Sequence, residues 1–148
     1  MKLRWASLEV LSALCSGLFA GAASYITLAE HPARMECGVL LAATEFGPSY
    51  RRAAAMQAPL AAIGGIASCA ASGMGKSLWW AVAGIALLAV IPLTLLVIAR
   101  TNKLLLDPKL DRTSELAREL LVRWGRLHAV RTAMSVGSFV LMLVLLAA

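Results

Sequence analysis

Leu78-Trp79-Trp80-Ala81-Val82-Ala83-Gly84-Ile85-Ala86-Leu87-Leu88-Ala89-Val90-Ile91-Pro92-Leu93-Thr94-Leu95-Leu96-Val97-Ile98-Ala99 contains no charged residue. A helix needs ~20 apolar residues to cross the ~30 Å hydrocarbon layer of a bilayer, and this run supplies them. Residues 8–28, 53–72 and 129–148 have the same character. In lipid every backbone N–H and C=O must find its partner within the chain, which segments of this kind achieve only as helices. The expected fold is therefore all-α: an integral membrane four-helix bundle with spans at about 8–28, 53–72, 78–99 and 129–148. Residues 1–148 read as a single domain, since four spans occupy most of the chain and no linker or repeat is visible. Only 15% of the residues are charged, whereas a soluble domain carries about 25%.

The first span resembles a signal peptide in outline. A basic start (Lys2, Arg4) precedes an apolar run with small residues at its end. Glu9 interrupts that run, and Leu14 stands before Cys15 where a lipoprotein cleavage site needs a small residue. The segment is read as a retained helix. Cys15, Cys37 and Cys69 include no Cys-x-x-Cys pair, which argues against thiol redox chemistry and leaves them as small packing residues.

Charge is divided unequally between the two membrane faces. Lys2, Arg4 and Lys76 fall on one side; the long connections and the edge of the last span carry eleven Lys and Arg residues, from Arg34 to Arg131. The positive-inside rule places these connections in the cytoplasm. The net charge of +6 is then explained by anionic lipid, and no nucleic-acid partner is needed. Trp5, Trp79 and Trp80 on the short-loop side read as interface anchors. Ala13, Gly17 and Gly21, and likewise Gly64, Ser68 and Ser72, recur every four residues. Such stripes let helices approach closely, within the bundle or between subunits of a homo-oligomer. Pro92 bends the third span, and Thr94 is placed to satisfy a carbonyl freed nearby.

Each long connection is expected to hold an amphipathic helix. Pro32 starts the first, Val39, Leu40, Ala43 and Phe46 form its apolar face, and Gly47-Pro48 ends it. In the second, Asp111, Thr113 or Ser114 caps a helix whose stripe is Leu116, Leu120, Trp124 and Leu127. With no strong breaker after it, this helix can continue into the last span. Trp124, His128 and Arg131 then lie at i, i+4 and i+7 on one side of a single helix, where it meets the membrane. They can serve there as anchor, rim residue and snorkelling cation. Ionisable groups at a span entrance are also functional candidates. Glu30 and His31 end the first span at this level, and Asn102 ends the third. Polar clusters from three helices thus converge on one rim.

The segments Ile91-Pro92-Leu93-Thr94, Arg100-Thr101-Asn102-Lys103-Leu104-Leu105 and Trp124-Gly125-Arg126-Leu127-His128-Ala129-Val130-Arg131-Thr132 resemble the anthrone oxygenase-like family of small four-span membrane proteins. Glu30-His31-Pro32-Ala33-Arg34, with Glu45-Phe46 and Pro48-Ser49-Tyr50-Arg51, is similar to its bacterial branch, which implies a bacterial inner membrane. The resemblance implies oxidation of a lipophilic aromatic, anthrone-like substrate by O2, with no established organic cofactor. Such a reaction needs a base, an oxyanion stabiliser and a dry pocket. His128 or Glu30 is the candidate base, Arg131 and Asn102 the stabilisers, and Trp124 the aromatic wall. An alternative is a metal-dependent oxidoreductase, with iron or copper held by His31, His128, Glu30 and Glu36. A second alternative is a non-catalytic module that binds lipid or quinone, or scaffolds a larger complex.

Overall fold

The computed structural model describes residues 2–148, with side chains from Leu8 onward. Lys2, Arg4 and the anchor reading of Trp5 lie outside the described side chains. Four long helices account for the described residues, and no strand occurs among them. Helix α1 comprises Lys2–Tyr25, a π-helical stretch Ile26–Glu30 and a final segment His31–Glu36. Helix α2 is Val39–Gly73. Helix α3 comprises Leu78–Leu88, Val90–Pro92, a second π-helical stretch Leu93–Ile98, and Ala99–Leu105. Helix α4 is Glu115–Ala147. Each is long and apolar enough to span a membrane, and the protein is an integral membrane four-helix bundle. Around the bundle α2 and α4 each pack against both α1 and α3.

The half next to the short α2–α3 turn is tightly closed. A Cβ placed on Gly84 would sit 2.7 Å from the Gly65 carbonyl oxygen, and one on Gly64 would sit 2.9 Å from Cys15 Cβ. These two helix pairs therefore touch backbone to backbone, as small residues permit. Gly17 leaves room in the same way for the Phe139 ring, 2.8 Å from its Cβ position. Gly21 has open space instead. Ser12 donates to the Gly64 carbonyl, Ser68 to that of Trp80 and Ser138 to that of Ala83. Glu9, which interrupts the first apolar run, is buried there and pairs with Lys76 at 3.2 Å. Trp79 faces outward, but Trp80 is only 2% exposed and packs in the core, so it is no interface anchor.

At the opposite end the structure corrects the first connection. The helix expected to run from Pro32 to Phe46 breaks earlier, at Cys37-Gly38, where Gly38 takes a φ of +94°. Such a backbone suits glycine, which has no Cβ to clash. The chain then stays helical through Gly47-Pro48, with Pro48 and Pro59 both inside α2. Pro48 removes one backbone donor, but Ala42, Ala43 and Phe46 are buried against the bundle and hold the turn in place. The inward face is thus Ala42, Ala43 and Phe46, while Leu40 is exposed. The amphipathic helix of the second connection is continuous with the last span, as its sequence allowed. Ser114 caps it by accepting from the Ala117 N–H at 3.2 Å. Just before it, hydrogen bonds from the Thr113 hydroxyl and N–H hold the Asp111 carboxyl below the ordinary aspartate range. Leu116 points out, and Ala117, Leu120, Leu121, Trp124 and His128 face in.

Pro92 lies at the centre of the change in α3. The Thr94 hydroxyl donates to the Val90 carbonyl at 2.7 Å, and the helix widens into the Leu93–Ile98 π-stretch. π-Stretches of this kind concentrate at functional sites. This one and Ile26–Glu30 flank the same cavity.

Candidate active site

The cavity measures about 150 Å³ and lies at the loop-side end of the bundle. Phe19 and Ile26 come to it from α1, and Phe46, Ser49, Tyr50 and a row of alanines from α2. Val90, Ile91, Thr94, Leu95, Ile98 and Asn102 line it from α3, and Trp124, His128 and Arg131 from α4. The i, i+4, i+7 trio on α4 therefore shares one cavity with Asn102. Most of the wall is apolar, and the few polar groups are set apart within it.

His128 is 2% exposed and held on one ring nitrogen. Its Nδ1 lies 2.9 Å from the Thr27 hydroxyl, which in turn lies 2.8 Å from the Thr132 hydroxyl. Thr132 also reaches the His128 carbonyl at 3.0 Å and the Ala23 carbonyl at 3.3 Å. A hydroxyl has one proton to give. With Thr132 donating to a carbonyl, Thr27 donates either to Thr132 or to Nδ1. The first choice makes Nδ1 the donor and leaves Nε2 with a free lone pair. The second places the proton on Nε2. The two threonines thus govern the imidazole tautomer.

Aromatic contacts fix the wall around it. Trp124 stacks on His128 with centroids 4.7 Å apart, and Phe46 meets Trp124 edge-on at 5.3 Å. Tyr50 stacks on Phe46 at 5.7 Å. His31 packs on Trp124 at 5.2 Å, and its ring occupies the space beside Gly125, where a Cβ would meet Nε2 at 2.5 Å. Phe19 carries the Arg131 guanidinium over its face, 4.8 Å from the ring centre. That cation–π contact leaves Arg131 Nε without a hydrogen-bond partner. Asn102 is only 3% exposed, and neither its amide nitrogen nor its oxygen has a partner. A buried amide left this way costs about 1–3 kcal/mol, so the cavity has an unspent donor and acceptor.

Glu30 is placed differently from its expected role. It bonds to Arg34 and accepts from Ser49 at 2.6 Å, and it does not line the cavity. Arg34, 5% exposed, also pairs with Glu45 at 3.0 Å. This cluster closes the loop-side end of the cavity, where Arg34 and Ser49 form part of the wall. The proposed metal ligands are not gathered into one site. Among the described residues no three His, Cys, Asp or Glu side chains converge at ligand spacing. Both imidazoles pack on Trp124, Glu30 is engaged by Arg34, and Glu36 is exposed.

Thr27, Thr132, Tyr50, Phe46 and Phe19 were not singled out as site residues from sequence. One signal was present: Thr27, Glu30, His31 and Arg34 form a polar stripe at helical spacing. Thr132 lies one turn after His128 on α4 itself; Thr27, Phe19, Phe46 and Tyr50 come from other helices, and only the packing reveals them as its neighbours.

A family model described as Anthrone oxygenase matches residues 46–141. No curated protein and no solved structure matches the chain. The matched region covers more than half of the sequence and carries Asn102, Trp124, His128 and Arg131. With its four spanning helices, the chain belongs to the anthrone oxygenase family.

Proposed function

We propose that this protein is a membrane-embedded oxygenase that oxidises a lipophilic, anthrone-like aromatic with O2 and without an organic cofactor. The observation that carries this reading is the grouping of His128, Arg131 and the unpartnered Asn102 in one mostly apolar cavity. Family membership supports the reaction class. The cavity encloses about the volume that holds one benzene ring, which suits the reacting ring of a flat substrate.

In this mechanism His128 Nε2 removes a proton from the activated ring CH2, in the Thr27 arrangement that leaves its lone pair free. The resulting enolate oxygen is stabilised by the Asn102 N–H and the Arg131 guanidinium. The electron-rich carbon adds O2, and the peroxide formed takes up a proton. Loss of water across the C–O–OH unit leaves the new ketone. One O2 is consumed, the CH2 becomes C=O, and one water is released. His128 is preferred to Glu30 as the base because Glu30 is occupied by Arg34 and Ser49. The metal-dependent alternative has less support, since its ligands do not converge. The charge distribution favours a cytoplasmic loop side, and the resemblance to the family's bacterial branch favours a bacterial inner membrane.

The test is oxygen uptake by purified protein in bilayers with a polyketide anthrone, with metal content measured on the same sample. His128→Ala is expected to lower turnover roughly 100- to 10,000-fold, the usual range for a positioned base, and Arg131→Ala roughly 100- to 1,000-fold, as for loss of one oxyanion donor. Turnover that tracks bound metal would favour the histidine–carboxylate alternative. Tight binding of the anthrone without oxygen uptake would favour a non-catalytic lipid- or quinone-binding module.

A further inference from the structure

The enclosed part of the cavity holds about one aromatic ring. A larger flat ligand must therefore project through a wall, and the walls differ. Towards the loops the cavity is closed by buried Arg34 with its two carboxylate partners. A path from water on that side must break an ion-pair cluster. Towards the lipid the wall is open and apolar. Helices α2 and α3 touch along Gly65 and Gly84, and beyond Pro92 the π-stretch departs from α2. Small Ala54 and Ala58 stand on one side of the resulting gap, and Ile91 and Leu95 on the other. Ala58 and Leu95 are both exposed on the outer face of the bundle, Leu95 by 67%, and both also line the cavity. Residues with both properties mark the edge of an opening. Behind it lies Asn102, buried and unpartnered.

We infer that the gap between Ala54/Ala58 and Ile91/Leu95 is a lateral portal, through which neutral, planar, lipid-soluble molecules reach the cavity directly from the bilayer core. The inference rests on the cavity being a ligand site. It does not depend on the reaction performed there. Selection at the portal is by partition: the four residues that frame it are uncharged. The charged groups nearby are the cations Arg34 and Arg131 in the cavity and Arg100 and Lys103 beyond Leu95, so a cation would shed its hydration without compensation.

The test needs no turnover, so its failure and that of the oxygenase reading are separable. In a full-length chain lacking Cys15, Cys37 and Cys69, Ala61→Cys places a thiol in the cavity wall. Labelling is followed in proteoliposomes with a lipid-soluble maleimide and with a permanently cationic thiosulfonate. The maleimide is expected to react at least an order of magnitude faster. Ala58→Trp, or Leu95→Trp from the facing helix should the first variant misfold, is expected to slow it by a similar factor. Ile66→Trp, on a lipid-facing surface away from the gap, is expected to leave the rate unchanged. Equal labelling by the charged reagent would overturn the portal. So would Trp variants that fold and leave the maleimide rate unchanged, an equal effect of Ile66→Trp, or a thiol that reacts only after unfolding.

Discussion

The two ends of this bundle treat buried polar groups differently. At the short-turn end Ser12, Ser68 and Ser138 each give their proton to a carbonyl of a neighbouring helix, and glycines bring the backbones together. At the loop end Thr27, His128 and Thr132 are also bonded between helices, but Asn102 and Arg131 Nε stand at a cavity without a hydrogen-bond partner. Ser16 and Gln57, buried and unpartnered, lie at the levels between. In hydrocarbon a polar side chain is costly wherever it stands. One end uses such groups to join helices, and the other joins helices too but also leaves an amide and a guanidinium nitrogen unbonded beside a cavity.

This contrast can be broken at either end. The largest expected effect is at Gly84→Leu, whose side chain must enter space held by Gly65 and Ser68. Overpacking of this kind costs about 3 kcal/mol, read as a lower midpoint of unfolding in a denaturing-detergent titration. A neutral result would mean that the closed end is looser than its geometry. Asn102→Leu carries the opposite sign. Removing an unpartnered amide is expected to stabilise the unliganded protein by about 1–2 kcal/mol, while binding of an anthrone analogue weakens. Loss of stability in this variant would show that Asn102 has a structural partner, such as ordered water.

Thr27→Val sharpens the comparison, because it alters a polar group that serves another polar group. Losing its hydroxyl frees His128 Nδ1 and is expected to cost about 1 kcal/mol in turnover. Nitrogen-15 chemical shifts of His128 should report a changed tautomer balance. Unchanged shifts would remove Thr27 from the site. The smallest effect belongs to Ser68→Ala, where an interhelical bond in lipid contributes about 0.6 kcal/mol. That loss should appear in unfolding and leave ligand binding untouched.

Hydrophobic runs and the bilayer's demand for bonded backbone made the four helices legible from sequence. The α4 trio was legible too, since helical spacing alone sets Trp124, His128 and Arg131 on one face. Asn102 followed from its place at the end of a span. In the first connection Gly47-Pro48 reads as the stop, whereas the break falls at Cys37-Gly38. Tertiary burial of Phe46 and its neighbours decided otherwise. Glu30 shared a level with His128, but level says nothing of direction, and Arg34 one turn later captures its carboxylate. Trp80 shows the same limit: adjacent tryptophans at a span end point to different faces, and only one can face the headgroups.

Helix α4 runs for 33 residues without a break, which makes it about 50 Å long. A bilayer's hydrocarbon core is about 30 Å thick, so a substantial part of this rod stands outside it. His128 lies about 20 Å from the start of the rod, close to the boundary where the apolar layer begins. With no hinge between Ser114 and the far end, the depth of the imidazole is tied to how the rod is immersed. A thicker membrane draws the helix upright, and a thinner one tilts it. Bilayer thickness thereby sets how deep this end of the bundle sits relative to the headgroups.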